Sequence, residues 1–216
     1  SEELAADFTP RCRPDVVRAL TPVPEGGEPI GGWIPQFRPA PVIAHAGAFH
    51  AHHVPYLAAV ARATAKFGGC LLLVTASDNP ALTLLRETGV SFRHQPAFNS
   101  SSEALRFLVS EASALTIMYP LEKSAYRHPP VGFPSRLIEF SRLGLPILLA
   151  APSDNPLIGW AKRNDWPFRL EEPNWDILES LTAQLTDNNK WKWLSKRMRV
   201  IAEAVSDPAK IHHQFH

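Results

Sequence analysis

The fold class is best inferred from residues 42–75, which read VIAHAGAFHAHHVPYLAAVARATAKFGGCLLLVT. This segment begins with a short apolar run, Val42–Ala46, and ends with a second one, Cys70–Thr75; a helical pattern spans 54–67 between them. Apolar runs free of charged residues are typical of strands that are covered on both faces, as in a parallel sheet. Two such strands joined by a helix predict a βαβ unit.

The same alternation continues along the chain. Further apolar runs predict strands at 115–119 and 147–151, and two shorter strands are predicted at 90–93 and 167–170. The helical patterns between the strands span 80–88, 102–111, 135–143 and 156–164, and two more follow at 175–185 and 190–205. Six strands alternating with helices predict an α/β fold with a Rossmann-like, doubly wound and mostly parallel sheet.

The N-terminal part of the chain has a different composition. Eight of the 21 prolines lie within the first 41 residues, together with glycine pairs at 26–27 and 31–32. Because proline lacks an amide donor and glycine interrupts regular structure, residues 1–40 are predicted to be a leader or linker, with one short strand at 15–20. Two interpretations stay open: a flexible leader, or an interdomain linker that follows a first domain. The folded domain is predicted to span 41–205.

Composition excludes several classes of function. Lys and Arg total 22 against 21 Asp and Glu, so no nucleic-acid partner is expected. Cys12 and Cys70 are too few for a disulfide framework or a cysteine-built zinc site, and a cytoplasmic, reducing location is predicted. No transmembrane segment or signal peptide is recognisable. The basic helix at 190–205 is open to two interpretations, a solvated face or a peripheral contact with a membrane surface or acidic partner.

The loop after the first strand contains one glycine and three histidines. Gly47 alone does not make the three-glycine fingerprint of dinucleotide-binding proteins, so NAD is disfavoured. The spacing of His50, His52 and His53 lacks the i, i+4 pair of a helical metal site, and no metal is expected. These histidines are interpreted as surface or capping residues, and a role in binding phosphate stays open.

Residues 126–140 are the richest in candidate chemistry. Ser135 is predicted to be the N-cap of a helix, and Arg136 in its first turn calls for an anionic partner. Glu139 is expected on the same face one turn further, where its carboxylate can accept two hydrogen bonds from the vicinal diol of a ribose. The alternative is a capping interaction with an exposed Glu–Arg pair.

This segment also resembles a known family. The string Gly132-x-Pro134-Ser135-Arg136-x-x-Glu139-Phe140, followed by Gly144-x-Pro146 and an apolar strand, is similar to the donor-binding motif of retaining nucleotide-sugar glycosyltransferases of the GT-B fold, group 1 type. The usual form in that family is Pro-Ser-Lys-x-x-Glu-Tyr, from which Arg136 and Phe140 are conservative departures. The resemblance extends from residue 42 to the C-terminus, which corresponds to the family's C-terminal half.

The resemblance implies transfer of a hexose-like sugar from a nucleoside diphosphate such as UDP to a carbohydrate or other acceptor hydroxyl, without a cofactor. It implies that this chain is the donor-binding half, inactive alone, and that residues 206–216 are a tail or helix that packs on an N-terminal domain. The resemblance implies that Glu139 contacts the ribose and that the backbone of His94 and Gln95 contacts the base. The residues implied to contact the diphosphate are Gly47, Ala48, Phe49, Pro134, Ser135 and Arg136. Gly132 is implied to belong to the same nucleotide-sugar site.

Two departures from the family stand beside these matches. Val131 occupies the position of a second glutamate, and no Arg–Lys pair follows Gly47. The missing Arg–Lys pair favours an alternative function, a degenerate Rossmann-like nucleotide-binding or scaffold module without turnover.

Overall fold

The computed structural model describes residues 34–122 and 134–205. The predictions for the strand at 15–20, for Gly132 and for the C-terminal tail lie outside these residues, as does most of the predicted linker. The described elements are β1 Val42–Ala46, a 3₁₀ turn Ala51–His53, α1 Val54–Ala65, β2 Cys70–Thr75, α2 Ala81–Glu87, β3 Phe92–Pro96, α3 Ser101–Glu111, β4 Ala114–Met118, α4 Ser135–Ser141, β5 Ile147–Ala150, α5 Pro156–Arg163, β6 Arg169–Leu170, α6 Trp175–Gln184 and α7 Asn188–Val205.

The strands of the described residues form one all-parallel sheet of six, in the order β3-β2-β1-β4-β5-β6. Helices flank this sheet. The chain runs outward from β1 to β3 on one side and from β4 to β6 on the other, which is the doubly wound arrangement. The predicted α/β, Rossmann-like fold is therefore confirmed.

Burial explains why the central strands were recognisable. In β2, β4 and β5 almost every side chain is buried, because helices cover both faces of the sheet. Such strands retain no polar alternation, and their sequences read as unbroken apolar runs.

The edge strands differ from their predicted bounds. β3 is Phe92–Pro96, whereas the strand was predicted at 90–93. Its position is set by pairing with β2, from Leu71 opposite Phe92 to Thr75 opposite Pro96, and its side chains are only half-buried or exposed. β6 is shorter than predicted, since Pro167 has no amide hydrogen with which to extend the ladder.

The last residues of the predicted linker are anchored to the domain. The ring of Phe37 packs edge-on against Trp191 of α7, with ring centroids 6.0 Å apart. The carbonyl of Pro41 accepts a 3.1 Å hydrogen bond from the amide of Cys70. Trp191 is buried and donates to the carbonyl of Ser113 at 2.7 Å, whereas Trp193 on the opposite face of α7 is 54% exposed.

Among the described residues, no helix combines the length and apolar character needed to cross a membrane.

Candidate functional site

The strand order places a candidate site at the border between β1 and β4. In open α/β sheets, ligands bind outside the carboxyl ends of the strands, where the strand order reverses. Gly47 follows β1 at this position and Tyr119 follows β4. An open pocket of about 770 Å³ lies beside Gly47, at the carboxyl ends of β1 and β2. Its lining is mostly small and apolar and consists of Gly47, Ala48, Phe49, His50, Ala51, Thr75, Ala76, Asp78, Asn79, Pro80, Ala81, Leu84 and Ala97.

Gly47 is required at the end of β1 for two reasons. Its φ of +108° lies in a region that favours glycine, and a Cβ at this position would lie 2.5 Å from the guanidinium carbon of Arg136. Its amide is not available to a ligand, because it donates to the carbonyl of Val74 at 2.8 Å and continues the β1–β2 ladder. The contribution of Gly47 is therefore space for Arg136. The next amides, of Ala48 and Phe49, have no acceptor among the described residues.

Arg136 joins α4 to the end of β1. Its Nη1 donates to the carbonyl of Ala46 at 3.0 Å, across 90 positions of sequence. Arg136 is half-buried and forms no ion pair with any carboxylate of the described residues. The structure thus brings the Gly47 loop and the first turn of α4 together around a cation that has no counter-charge among residues 34–122 and 134–205.

The N-terminus of α4 differs from the prediction by one position. Pro134 is the N-cap, with φ −71° and ψ 115°, and Ser135 is the first helical residue, so the prediction of Ser135 as N-cap was wrong. Proline suits the cap because this extended conformation matches its restricted φ. Ser135 is exposed and lies inside the helix rather than at its cap.

Glu139 lies in α4 and is half-buried. It forms no hydrogen bond or ion pair within 34–122 and 134–205, so the alternative of a Glu–Arg pair with Arg136 is not found there. A half-buried carboxylate without a partner is unusual, because burial of an unpaired charge costs free energy. Glu139 is therefore a candidate for contact with a ligand hydroxyl.

Two predicted site residues lie apart from this group, and the side chain of a third is buried in the core. His94 and Gln95 are within β3 rather than in a loop after it, and neither lines the pocket. His94 Nε2 lies 3.1 Å from the carbonyl of Thr75, and the Gln95 amide nitrogen donates to Pro96. The side chain of Phe49 belongs to the core, with 1% exposed, so only its backbone can reach a ligand.

His45 was not among the predicted site residues. It lies in β1 two positions before Gly47, is 4% exposed, and packs edge-on against Phe49. Neither ring nitrogen has a hydrogen-bond partner of acceptable geometry among the described residues. Burial, followed by the nearby Arg136 guanidinium, lowers the pKa of His45 to about 4, and the adjacent backbone of Thr116, Ala48 and Gly47 opposes the shift only in part. A histidine within an otherwise apolar strand was the signal in the sequence.

The three histidines of the loop lie close to one another. His50 donates its amide hydrogen to Nδ1 of His53 at 3.1 Å, and the rings of His52 and His53 are 4.1 Å apart. Burial, followed by the neighbouring imidazoles of His52, His45 and His50, lowers the pKa of His53 to about 3. No group of three or more His, Cys, Asp or Glu side chains in the described ranges is arranged to hold a metal ion.

The site therefore combines a cation and two amides that have no partner in the part of the chain that the structure describes, a set of imidazoles and an apolar pocket. Neither the protein-family models nor the curated proteins compared with this chain gave a match. The chemistry of the site is therefore inferred from its geometry alone.

Proposed function

We propose that this chain binds a nucleoside diphosphate sugar and is the donor-binding domain of a retaining glycosyltransferase of the GT-B fold. The observation that carries the proposal is the position of Arg136. Its guanidinium lies against Gly47 at the border of β1 and β4, with no carboxylate partner among the described residues and one hydrogen bond to a backbone carbonyl.

Arg136 is suited to the diphosphate. A guanidinium has five N–H donors in a planar fork that matches phosphate oxygens. One bond to Ala46 leaves the other donors for a ligand, while the amides of Ala48 and Phe49 add two neutral donors close by. In this proposal Arg136, rather than a metal ion, supplies the positive charge.

Glu139 and the pocket beside Gly47 are suited to the ribose and the base of the donor. Glu139 accepts hydrogen bonds from the ribose hydroxyls, because it is half-buried without a partner in the described chain. The pocket beside Gly47 is within the usual volume of about 300–1,000 Å³ for small-molecule sites and receives the base along its apolar wall.

The proposed reaction is transfer of a hexose-like sugar to an acceptor hydroxyl in the cytoplasm. Such a reaction depends on a second domain that closes over the donor, which orients the reactants and excludes water. Residues 1–216 alone are therefore expected to bind the donor without transferring sugar. One observation favours a second candidate, a nucleotide-binding module without turnover: the loop from Gly47 to His53 contains no Lys or Arg.

The test is calorimetric titration with a panel of nucleoside diphosphates and nucleotide sugars. Glu139→Gln should weaken ribonucleotide binding by at least about tenfold, since hydrogen bonds to a charged acceptor are worth roughly 1.5–3 kcal/mol each before desolvation is subtracted. The matched control is Glu103→Gln, an exposed glutamate in the first turn of α3, which should leave affinity unchanged.

A 2′-deoxynucleotide separates the ribose role from a general loss of binding. The unaltered protein should bind it less tightly than the ribonucleotide, and Glu139→Gln should barely distinguish the two. Arg136→Ala should also weaken binding, with a loss that shrinks as salt is added, because it acts through phosphate charge. A Glu139→Gln variant with a changed melting temperature and unchanged affinity would contradict the proposal.

A further inference from the structure

The turn between Gly47 and α1 gathers three imidazoles into a small volume. We call His50, His52 and His53 the histidine cluster; its ring centroids are separated by 5.5 Å, 6.0 Å and 4.1 Å. The 3.1 Å hydrogen bond from the His50 amide to Nδ1 of His53 requires that this nitrogen carry no proton. A neutral His53 therefore has its proton on Nε2.

The cluster is accessible to a ligand and faces mostly basic groups. His50 and His52 are exposed, and His50 lines the pocket beside Gly47. His45 of β1 lies close enough to influence His53, and Arg136 of α4 influences His45 in turn. Tyr119, after β4, also lies near Arg136. Asp78, after β2, lines the same pocket and is the one acidic residue among its lining residues.

These neighbours disfavour protonation of His52 and His53 when no anion is bound. The pKa of His53 is lowered to about 3, and that of His52 is also lowered, in both cases first by burial and then by the neighbouring imidazoles. Imidazoles this close repel one another when charged, so a nearby negative charge makes uptake of a proton more favourable. An anion within about 4–6 Å raises the pKa of a histidine, typically by about 1–3 units.

We propose that the histidine cluster and Arg136 form the two sides of one phosphate site, and that the cluster takes up a proton from solvent as the anion binds. His52 is the first to be protonated, because it is more exposed than His53. Anion affinity then increases as the pH falls from 8 to 6. This inference deepens the proposed function and rests on it for the identity of the anion as the diphosphate of a nucleotide sugar.

The experiment measures the pKa of each histidine by NMR, at constant ionic strength, in buffer alone, with sulfate and with UDP-glucose. Neither probe has a group that titrates near neutral pH, so a change in pKa belongs to the protein. We expect both probes to raise the pKa of His52 by about one unit or more, which lies within the range for a nearby opposite charge. The affinity for each probe should be higher at pH 6 than at pH 8, by up to about tenfold for each unit of the shift.

Two variants assign the effect to the cluster. His52→Gln should bind sulfate with little pH dependence, and His50→Gln provides a second exposed variant that should reduce the dependence. The matched control is His94→Gln, because His94 lies in β3 outside the cluster and the pocket lining. This control should retain the full pH dependence.

The outcomes separate this inference from the proposed function. If UDP-glucose binds with unchanged histidine pKa values and a flat pH profile, proton uptake is overturned and the proposed function stands. If sulfate raises the pKa values while no nucleotide of the panel binds, the proposed function is overturned and the anion site stands. If neither probe binds, both are overturned.

Discussion

Two buried polar residues lie side by side in the centre of the sheet and differ in how their polar atoms are satisfied. Thr116 on β4 is 1% exposed; its hydroxyl donates to the carbonyl of Leu148 at 3.1 Å and lies 2.6 Å from the hydroxyl of Tyr56. His45 on β1 is 4% exposed and has no partner for either ring nitrogen among the described residues. Their strands pair with Ala44 opposite Leu115, one position earlier on each.

The difference separates a structural polar group from a candidate functional one. Thr116 belongs to a closed set of hydrogen bonds, and burial keeps the pKa of Tyr56 well above its usual value, so that Tyr56 stays protonated and donates to Thr116. A buried polar group without a partner costs free energy and is uncommon in folded proteins. His45 lies next to the candidate anion site, which gives a functional reason for retaining it.

The largest expected effect is a loss of stability in acid that depends on His45. Its pKa falls from 6.5 to about 4 on folding, so between these pH values the unfolded chain binds more protons than the folded one. The contribution of His45 to the free energy of unfolding is therefore fully present above pH 6.5. It decreases by about 3 kcal/mol as the pH falls towards 4. Urea unfolding at pH 7.5 and at pH 4 measures the loss.

The variant His45→Leu isolates this contribution from those of other titrating groups. It should lose about 3 kcal/mol less than the unaltered protein between the two pH values, by the same proton linkage. His53 shifts in the same direction and should still contribute in the variant. Equal losses in the two proteins would show that His45 is not neutral and buried in the folded state.

At pH 7.5, removing the two polar side chains should change the free energy of unfolding in opposite directions, by smaller amounts. Thr116→Val leaves the hydroxyl of Tyr56 and the carbonyl of Leu148 buried without a partner and should destabilise by about 1–3 kcal/mol. His45→Leu removes two unpartnered nitrogens and breaks no hydrogen bond within the described residues, so it should be neutral or stabilising.

The double variant Thr116→Val with Tyr56→Phe sharpens this test. Because both polar partners are then absent, its loss of stability should be smaller than the sum of the two single losses. If Thr116→Val leaves stability unchanged and His45→Leu lowers it by several kcal/mol, then His45 is the structural polar group and Thr116 is not.

The part of the fold that the sequence predicts best is the part set by burial alone. Unbroken apolar runs placed the four central strands within one residue at each end, because core packing selects most of those side chains. β3 was misplaced because its pairing with β2, rather than its composition, fixes its bounds. The cap of α4 was misplaced because Pro134 supplies the extended backbone that Ser135 was expected to supply.

The candidate site was predictable where local motifs meet the strand-order rule. Gly47 and Arg136 were both recognised from their own segments, yet the contact between them joins positions 90 apart and depends on the folded sheet. The environment of His45 was not predictable, because a single histidine in an apolar run gives no indication of whether its nitrogens are satisfied. The availability of the Gly47 amide was not predictable for a similar reason, because this amide donates its hydrogen to the neighbouring strand β2.

Two glycine variants test whether Arg136 lowers the pKa of His45. The difference in stability between these two variants is the smallest that we expect. Gly47→Ala and Gly89→Ala both place an alanine at positive φ, +108° and +73°, and should each destabilise by about 1–2 kcal/mol. A Cβ at Gly89 would meet no atom within 4 Å, whereas a Cβ at Gly47 would displace the guanidinium of Arg136. Because that guanidinium lowers the pKa of His45, only Gly47→Ala should raise it, and NMR titration of the His45 ring measures the change. The same variant should weaken sulfate binding, and Gly89→Ala should not. An unchanged His45 pKa in a folded Gly47→Ala protein would show that Arg136 does not govern His45, and the contrast with Thr116 would then rest on burial alone.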